Sequence, residues 1–231
     1  MGSDTNNNKA FQIAVWTIFI VAIVGSLIWM RNAGTSKNEA VSPATADFFT
    51  VAPDDYVKGG ANAKVTLIEY IDFECEACGA YFPLVKQLEQ EFPNDLRVVL
   101  RYFPLPGHRN GMTAALAVEA SARQGKFFEM HDLLFTEQKS WGEKPAPTPA
   151  VFEKYAEQLG LDMAAYKVAV ASPEVKARVE RDVNSGKKLG NTGTPSFYLD
   201  GKKLPNPQGY EDFKKIIQTA IDKASSNQTS Q

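Results

Sequence analysis

Two cysteines are the whole thiol content of this 231-residue chain, and they stand three residues apart as Cys75-Glu76-Ala77-Cys78. Two positions drawn at random in such a chain fall at that spacing roughly once in a hundred, so the pairing is informative. In the first turn of a helix, a leading sulfur faces unsatisfied backbone N–H groups and the positive end of the helix dipole, which favour thiolate over thiol. A second sulfur one turn on is close enough to attack a mixed disulfide and resolve it. Cys75 is then the exposed nucleophile and Cys78 the resolving thiol. Two other uses of such a pair compete with this one. Half a zinc site needs two more ligands, yet no other cysteine exists, and His108 and His131 are isolated rather than spaced as a ligand pair. A purely structural bridge between Cys75 and Cys78 would close a tiny loop and constrain the unfolded chain little.

The elements around the pair should present it well. Residues 64–72 (KVTLIEYID) form a β-branched and aromatic run of strand length with one carboxylate, Glu69, in its interior. Residues 79–92 place Tyr81, Phe82, Leu84, Val85 and Leu88 at amphipathic helical spacing, with Pro83 predicting a kink and Pro93 a stop. The cysteines thus fall where a strand turns into a helix. A second strand is predicted over 96–103. Helical periodicity then covers most of 109–189, in segments 112–122, 127–135, 151–159, 163–170 and 175–189. Strands at 196–199 and 202–204 flank Asp200-Gly201, the strongest short hairpin signal in the chain, and a closing helix spans about 209–222. The order is strand, helix, strand, several helices, hairpin, helix: an α/β domain with a helical block inserted.

Before that domain, residues 11–30 contain no charge. At about 1.5 Å rise each they make a helix of roughly 30 Å, the thickness of the hydrocarbon layer. A cleaved secretory signal usually has only ~7–15 apolar residues, and 31–35 offers no convincing small-x-small cleavage site, so a single signal-anchor span is expected. Lys9 and the terminal amine on one side balance Arg31 and Lys37 on the other, which leaves the positive-inside count near a tie. Residues 1–10 are a short tail, 31–53 read as a tether, 54–223 as the folded domain, and 224–231 as a polar, disordered tail. With 25 basic against 27 acidic side chains and no long basic run, nucleic acid is a poor partner. No nucleotide, flavin or metal site is visible in the sequence, and no cofactor is required.

The run IEYIDFECEACGAYFP at 68–83, the segment Gly193-Thr194-Pro195-Ser196-Phe197 before the last hairpin, and the helical insertion between them together resemble the DsbA-type thiol-disulfide oxidoreductases, in particular their membrane-anchored branch. The resemblance covers nearly all of 54–223. It implies a thioredoxin fold with an all-helical subdomain inserted at about 105–189, preceded here by one transmembrane helix. It also implies a cis Thr194-Pro195 bond beside the active disulfide, where a proline removes an N–H and leaves neighbouring backbone free to pair with an extended substrate. Glu76 and Ala77 would share in substrate binding. Glu69 matches a buried carboxylate that assists proton transfer to and from the second cysteine, although an exposed edge position would leave it with no such role. His131 is expected to be structural, and His108 simply to precede a helix.

One departure has chemical consequences. The best-known oxidase of the family has Pro-His between its cysteines, where the His helps hold the thiolate; here the pair is Glu76-Ala77. A shift from about 8.5 to about 3.5 is worth ~7 kcal/mol, whereas a helix terminus supplies ~0.3–2, so directed hydrogen bonds must supply the rest. Glu74 and Glu76 would oppose the thiolate. The expectation is a Cys75 pKa between the family's extremes and a less oxidising disulfide than a Pro-His protein has. The resemblance further implies an anchored, extracytoplasmic enzyme that passes its disulfide to reduced secreted proteins and is reoxidised by a quinone-linked membrane partner. A reductase or isomerase on the same fold, or a tethered chaperone module, are the rival functions.

Overall fold

The computed structural model describes residues 47–146 and 148–229. The apolar span at 11–30, the tail before it and most of the tether lie outside the described residues. Among the described residues no helix is long and apolar enough to cross a membrane.

A five-stranded mixed sheet forms the centre, in the spatial order β1 (Tyr56–Lys58), β3 (Leu96–Tyr102), β2 (Val65–Ile71), β4 (Ser196–Leu199), β5 (Lys202–Leu204). β2 and β3 run parallel, joined by helix α1 (Glu76–Glu91), and β1, β4 and β5 pair antiparallel to their neighbours. Parallel pairing needs such a crossover, and the residues just past the end of β2 therefore meet the start of α1. Side chains alternate along β2 with period two. Leu67 and Ile71 enter the main core with Val85 and Leu88 of α1. Ile68 and Tyr70 face the other way, into a smaller cluster with Val99, Phe103 and Tyr198. Glu69 falls on the Leu67 and Ile71 side, inside the main core.

Between β3 and β4 stand six helices: α2 (Gly111–Ala122), α3 (Phe127–Thr136), α4 (Gln138–Trp141), α5 (Pro149–Gln158), α6 (Met163–Val170) and α7 (Pro173–Lys188). α2 is their hub and packs against α3, α5, α6 and α7. Its Ala114, Ala115, Ala117 and Ala120 are all buried, and side chains this small let four helices approach one axis. The hairpin turns at Asp200 and Gly201, both with left-handed backbone (φ +47° and +78°), the type I′ geometry that matches strand twist.

Three expectations need correction. The domain starts earlier than residue 54: Asp47–Phe49 form a 3-10 turn, Phe49 packs on Tyr198 with ring centroids 5.3 Å apart, and Arg101 binds the carbonyls of Phe48 and Thr50. Two adjacent phenylalanines gave this end of the tether something to bury. The closing helix, α8 (Tyr210–Thr229), runs through most of the stretch read as a disordered tail. Ala220 and Ala224 pack against the core, which gives this end of the helix a face to bury. α1 begins at Glu76, not Gly79, and continues through Pro83.

Candidate active site

Cys75 caps α1 in extended backbone (φ −70°, ψ 119°), and its own N–H bonds the Asp72 carbonyl at 3.1 Å. Cys78 lies one turn on. Both are free thiols. The Cys75 thiol donates to the Thr194 carbonyl at 3.3 Å, across a Thr194-Pro195 bond that is cis. Helix start and β4 entrance, 119 residues apart in sequence, thus meet at one sulfur. The expectation of an exposed nucleophile is only partly met: Cys75 is 8% exposed and Cys78 1%. The Thr194 loop packs against the Cys75 sulfur, which leaves its rim to solvent, beside exposed Glu76 and Ala77.

The two sulfurs are driven apart in acidity. Cys75 is pulled down to about 5, first by a hydrogen bond from the Cys78 thiol, then, against the cost of burial, by the Thr194 side chain and the N–H groups of Cys78 and Ala77. The Thr194 hydroxyl is buried and makes no hydrogen bond among the described residues. Cys78 is pushed well above an ordinary thiol, by burial first and then by its neighbour's charge. The split favours thiolate at Cys75 and keeps the proton on Cys78, the division of labour that a nucleophile and a resolving thiol need.

Glu69 pairs with Leu100 and Phe197 on the flanking strands, so it sits on a central strand and not at an edge. It is 4% exposed. Burial raises its pKa to about 8, with the Glu89 charge adding to the effect. Glu69 and Cys78 line one narrow cleft with Lys58, Glu89, Phe82 and His131. At its outer end Lys58 pairs with Glu89 at 3.4 Å. A carboxyl that titrates near neutrality beside a reluctant thiol can give and take that thiol's proton.

Residues beyond the motif hold the turn in place. Gln138 of α4 donates through Nε2 to the carbonyls of Phe73 at 2.8 Å and Cys75 at 2.9 Å. A side chain at Gly79 would meet Gln138 Oε1 and push that amide aside, so glycine there leaves room for the approach. The buried Asp72 carboxylate accepts from the N–H groups of Glu74 (2.9 Å) and Leu105 (2.7 Å) and from His108 Nδ1 (2.6 Å). Glu74 is also buried, and its carboxylate takes the Asn110 side chain at 2.9 Å and the Glu143 N–H at 3.0 Å. His131 is enclosed by Phe73, Phe82, Phe127 and Phe135, and burial lowers its pKa, which suits a packing role. Sequence reasoning missed Gln138, Asp72 and His108. Only the lone Asp ending an apolar strand was a visible signal.

Among the described residues no cluster of His, Cys, Asp and Glu is arranged to hold a metal ion. A family model described as thioredoxin matches residues 51–219. Among solved structures, alpha-DsbA1 of Wolbachia pipientis superposes with a TM-score of 0.72 at 19% identity, over 79% of this chain and 98% of that one. A thioredoxin-like oxidoreductase from Silicibacter pomeroyi gives a TM-score of 0.64 at 27% identity, over 80% of this chain and 99% of that one. Among curated sequences, Na(+)/H(+) antiporter NhaA 3 of Salinispora tropica is 36% identical over 176 residues, 75% of this chain. The chain spans about a quarter (26%) of that relative's length. A CxxC pair at the head of α1, a cis proline against its first sulfur, and a family match over most of the domain converge: the chain belongs to the thioredoxin family, with the DsbA-like architecture of a helical block inserted into the fold.

Proposed function

We propose that the protein is a thiol-disulfide oxidoreductase that introduces disulfides into reduced secreted or surface proteins. The observation that carries this reading is geometric: Cys75 caps α1 with its sulfur 3.3 Å from the Thr194 carbonyl, and Cys78 is buried one turn on, an arrangement that lowers the Cys75 pKa and raises that of Cys78. In the oxidised protein a substrate thiolate attacks Cys75 Sγ, the Cys75–Cys78 bond breaks, and Cys78 leaves and is protonated, with Glu69 of the shared cleft as the proton carrier. A second substrate thiolate then attacks the substrate sulfur of the mixed disulfide, and Cys75 departs as thiolate. Two electrons pass from the substrate dithiol to the protein. A leaving thiol of low pKa leaves faster, so the Cys75 acidity favours release of an oxidised substrate.

The apolar residues 11–30 support anchoring to a membrane, with the catalytic domain on the oxidising, extracytoplasmic side. A quinone-linked membrane protein would then restore the disulfide. Cation exchange, named for the antiporters, is not carried over, because the shared stretch is the thioredoxin-like region alone. The test is trapping: a Cys78→Ala variant, offered reduced unfolded protein and a mild oxidant, should accumulate mixed disulfides that reducing agent releases and that Cys75→Ser abolishes. A Cys78→Ala variant that stays monomeric and unmodified would overturn the reading. A wild-type potential at the strongly reducing end would reassign it as a reductase.

A further inference from the structure

The turn that presents Cys75 is gripped by a side chain from the helical insertion. A primary amide carries two N–H donors, and Gln138 spends both here, on the carbonyl of Phe73 at 2.8 Å and that of Cys75 at 2.9 Å. These carbonyls flank the backbone of Glu74 and Cys75, so one amide holds the chain on both sides of it. Gln138 opens α4, and its base is firm. Three residues on, Trp141 is fully buried, donates through Nε1 to the Leu134 carbonyl at 3.0 Å and packs edge-on against Phe152. The amide passes over Gly79, where a Cβ would lie 2.3 Å from Oε1. The Cys75 carbonyl thus takes two N–H groups, that of Gly79 in α1 at 3.1 Å and that of Gln138.

We propose that Gln138 is a positioning residue for the exchange reaction: it fixes the Cys75 carbonyl, and with it the direction in which the Cys75 sulfur meets the first turn of α1, while Gly79 is the notch that admits the amide. The proposal rests on the oxidoreductase reading and deepens it. Cys75 is the N-cap of α1, and the torsion about its Cα–C bond (ψ 119°) decides where the helix lies relative to its own side chain. Holding the carbonyl oxygen holds that torsion. The sulfur is then kept 3.3 Å from the Thr194 carbonyl and beside the N–H groups of Ala77 and Cys78. Without the amide, the Cys75 carbonyl keeps only its helical partner and the Phe73 carbonyl is left to water. A reacting atom misplaced by about 1 Å can lose about a hundredfold in rate, so slack in a torsion of the nucleophile itself reaches the chemistry directly. The helical insertion is in this way part of the machinery that aims Cys75.

The test reads Cys75 in folded, reduced protein, through its alkylation rate across a pH series and its rate of reaction with oxidised glutathione. Gln138→Met keeps the bulk of the side chain and removes both donors. It should slow the reaction with glutathione by about threefold to tenfold, a modest misplacement of the nucleophile, and move the alkylation midpoint to higher pH. Gly79→Ala acts from the other side. Its methyl pushes the intact amide off the carbonyls, so it should give the same losses although alanine favours a helix more than glycine does. The double variant should be no slower than Gln138→Met alone, because the grip is already gone. Wild-type rates and midpoint in folded Gln138→Met, or a Gly79→Ala loss that adds in full to that of Gln138→Met, would overturn the proposal while leaving the oxidoreductase reading intact. Should Gln138→Met fail to fold, Gly79→Ala alone decides, and wild-type rates in it would overturn the proposal. A wild-type protein that forms no Cys75–Cys78 disulfide in glutathione buffer would overturn both.

Discussion

Replacing Glu69 with Gln should make the protein more stable at neutral pH and slower in exchange. Glu69 is 4% exposed, and its pKa rises from about 4.5 to about 8 on folding because burial penalises the carboxylate. A carboxyl raised in the folded state contributes stability that is whole below the unfolded value and is lost as pH climbs through the folded one. At pH 7 the unfolded chain has ionised by about 2.5 pH units beyond its midpoint while the folded chain is still mostly protonated, a loss of about 3 kcal/mol at ~1.4 kcal/mol per unit. Gln removes the ionisation and so the loss. The assay is urea unfolding of the reduced protein at pH 5 and pH 7. The variant should gain about 2–3 kcal/mol on wild type between the two, near 1 M in midpoint for a protein of this size. Parallel movement of both proteins with pH would refute the idea that this carboxyl is buried and unpaired. In stopped-flow exchange with a model dithiol, the same variant should lose rate above pH 7, where proton transfer at Cys78 limits.

Two further substitutions probe the supports of the turn. Gln138→Ala strips the donor from the carbonyls of Phe73 and Cys75 and should cost about 1–3 kcal/mol in urea unfolding; an unchanged midpoint would mean that water replaces the amide at no cost. Gly186→Ala places a methyl 2.6 Å from the Phe103 ring and 3.1 Å from Tyr70, in the smaller cluster behind the sheet. It should lower the melting temperature by about 5 °C, as overpacking of about 1–3 kcal/mol implies; a rise would show helix propensity outweighing the clash.

Elements with a strong local pattern were legible in the sequence. The helix expected at 163–170 and the hairpin strands at 196–199 and 202–204 match α6, β4 and β5, and α2, α3, α5 and α7 differ from expectation by two residues or fewer at each end, whereas α1 starts three residues early and α8 runs seven residues past its expected end. What escaped was short or non-local. β1 has three half-buried residues and no alternation to detect, and α4 is a single turn, yet α4 carries Gln138. Asp72 and His108 lie 36 residues apart and meet because β2 and β3 pair in parallel and end on the same side of the sheet. No periodicity in a single sequence encodes that meeting. The cysteines and Thr194-Pro195 were readable because each motif is compact, while the contact between them belongs to the fold.

The most direct test of the account is which sulfur reacts. Brief alkylation of the reduced protein with iodoacetamide across a pH series, followed by mass mapping, should label Cys75 alone, with a rate that reaches half its plateau near pH 5, while Cys78 stays unmodified. Equal labelling of both cysteines, or none until the pH passes the ordinary thiol range, would contradict it.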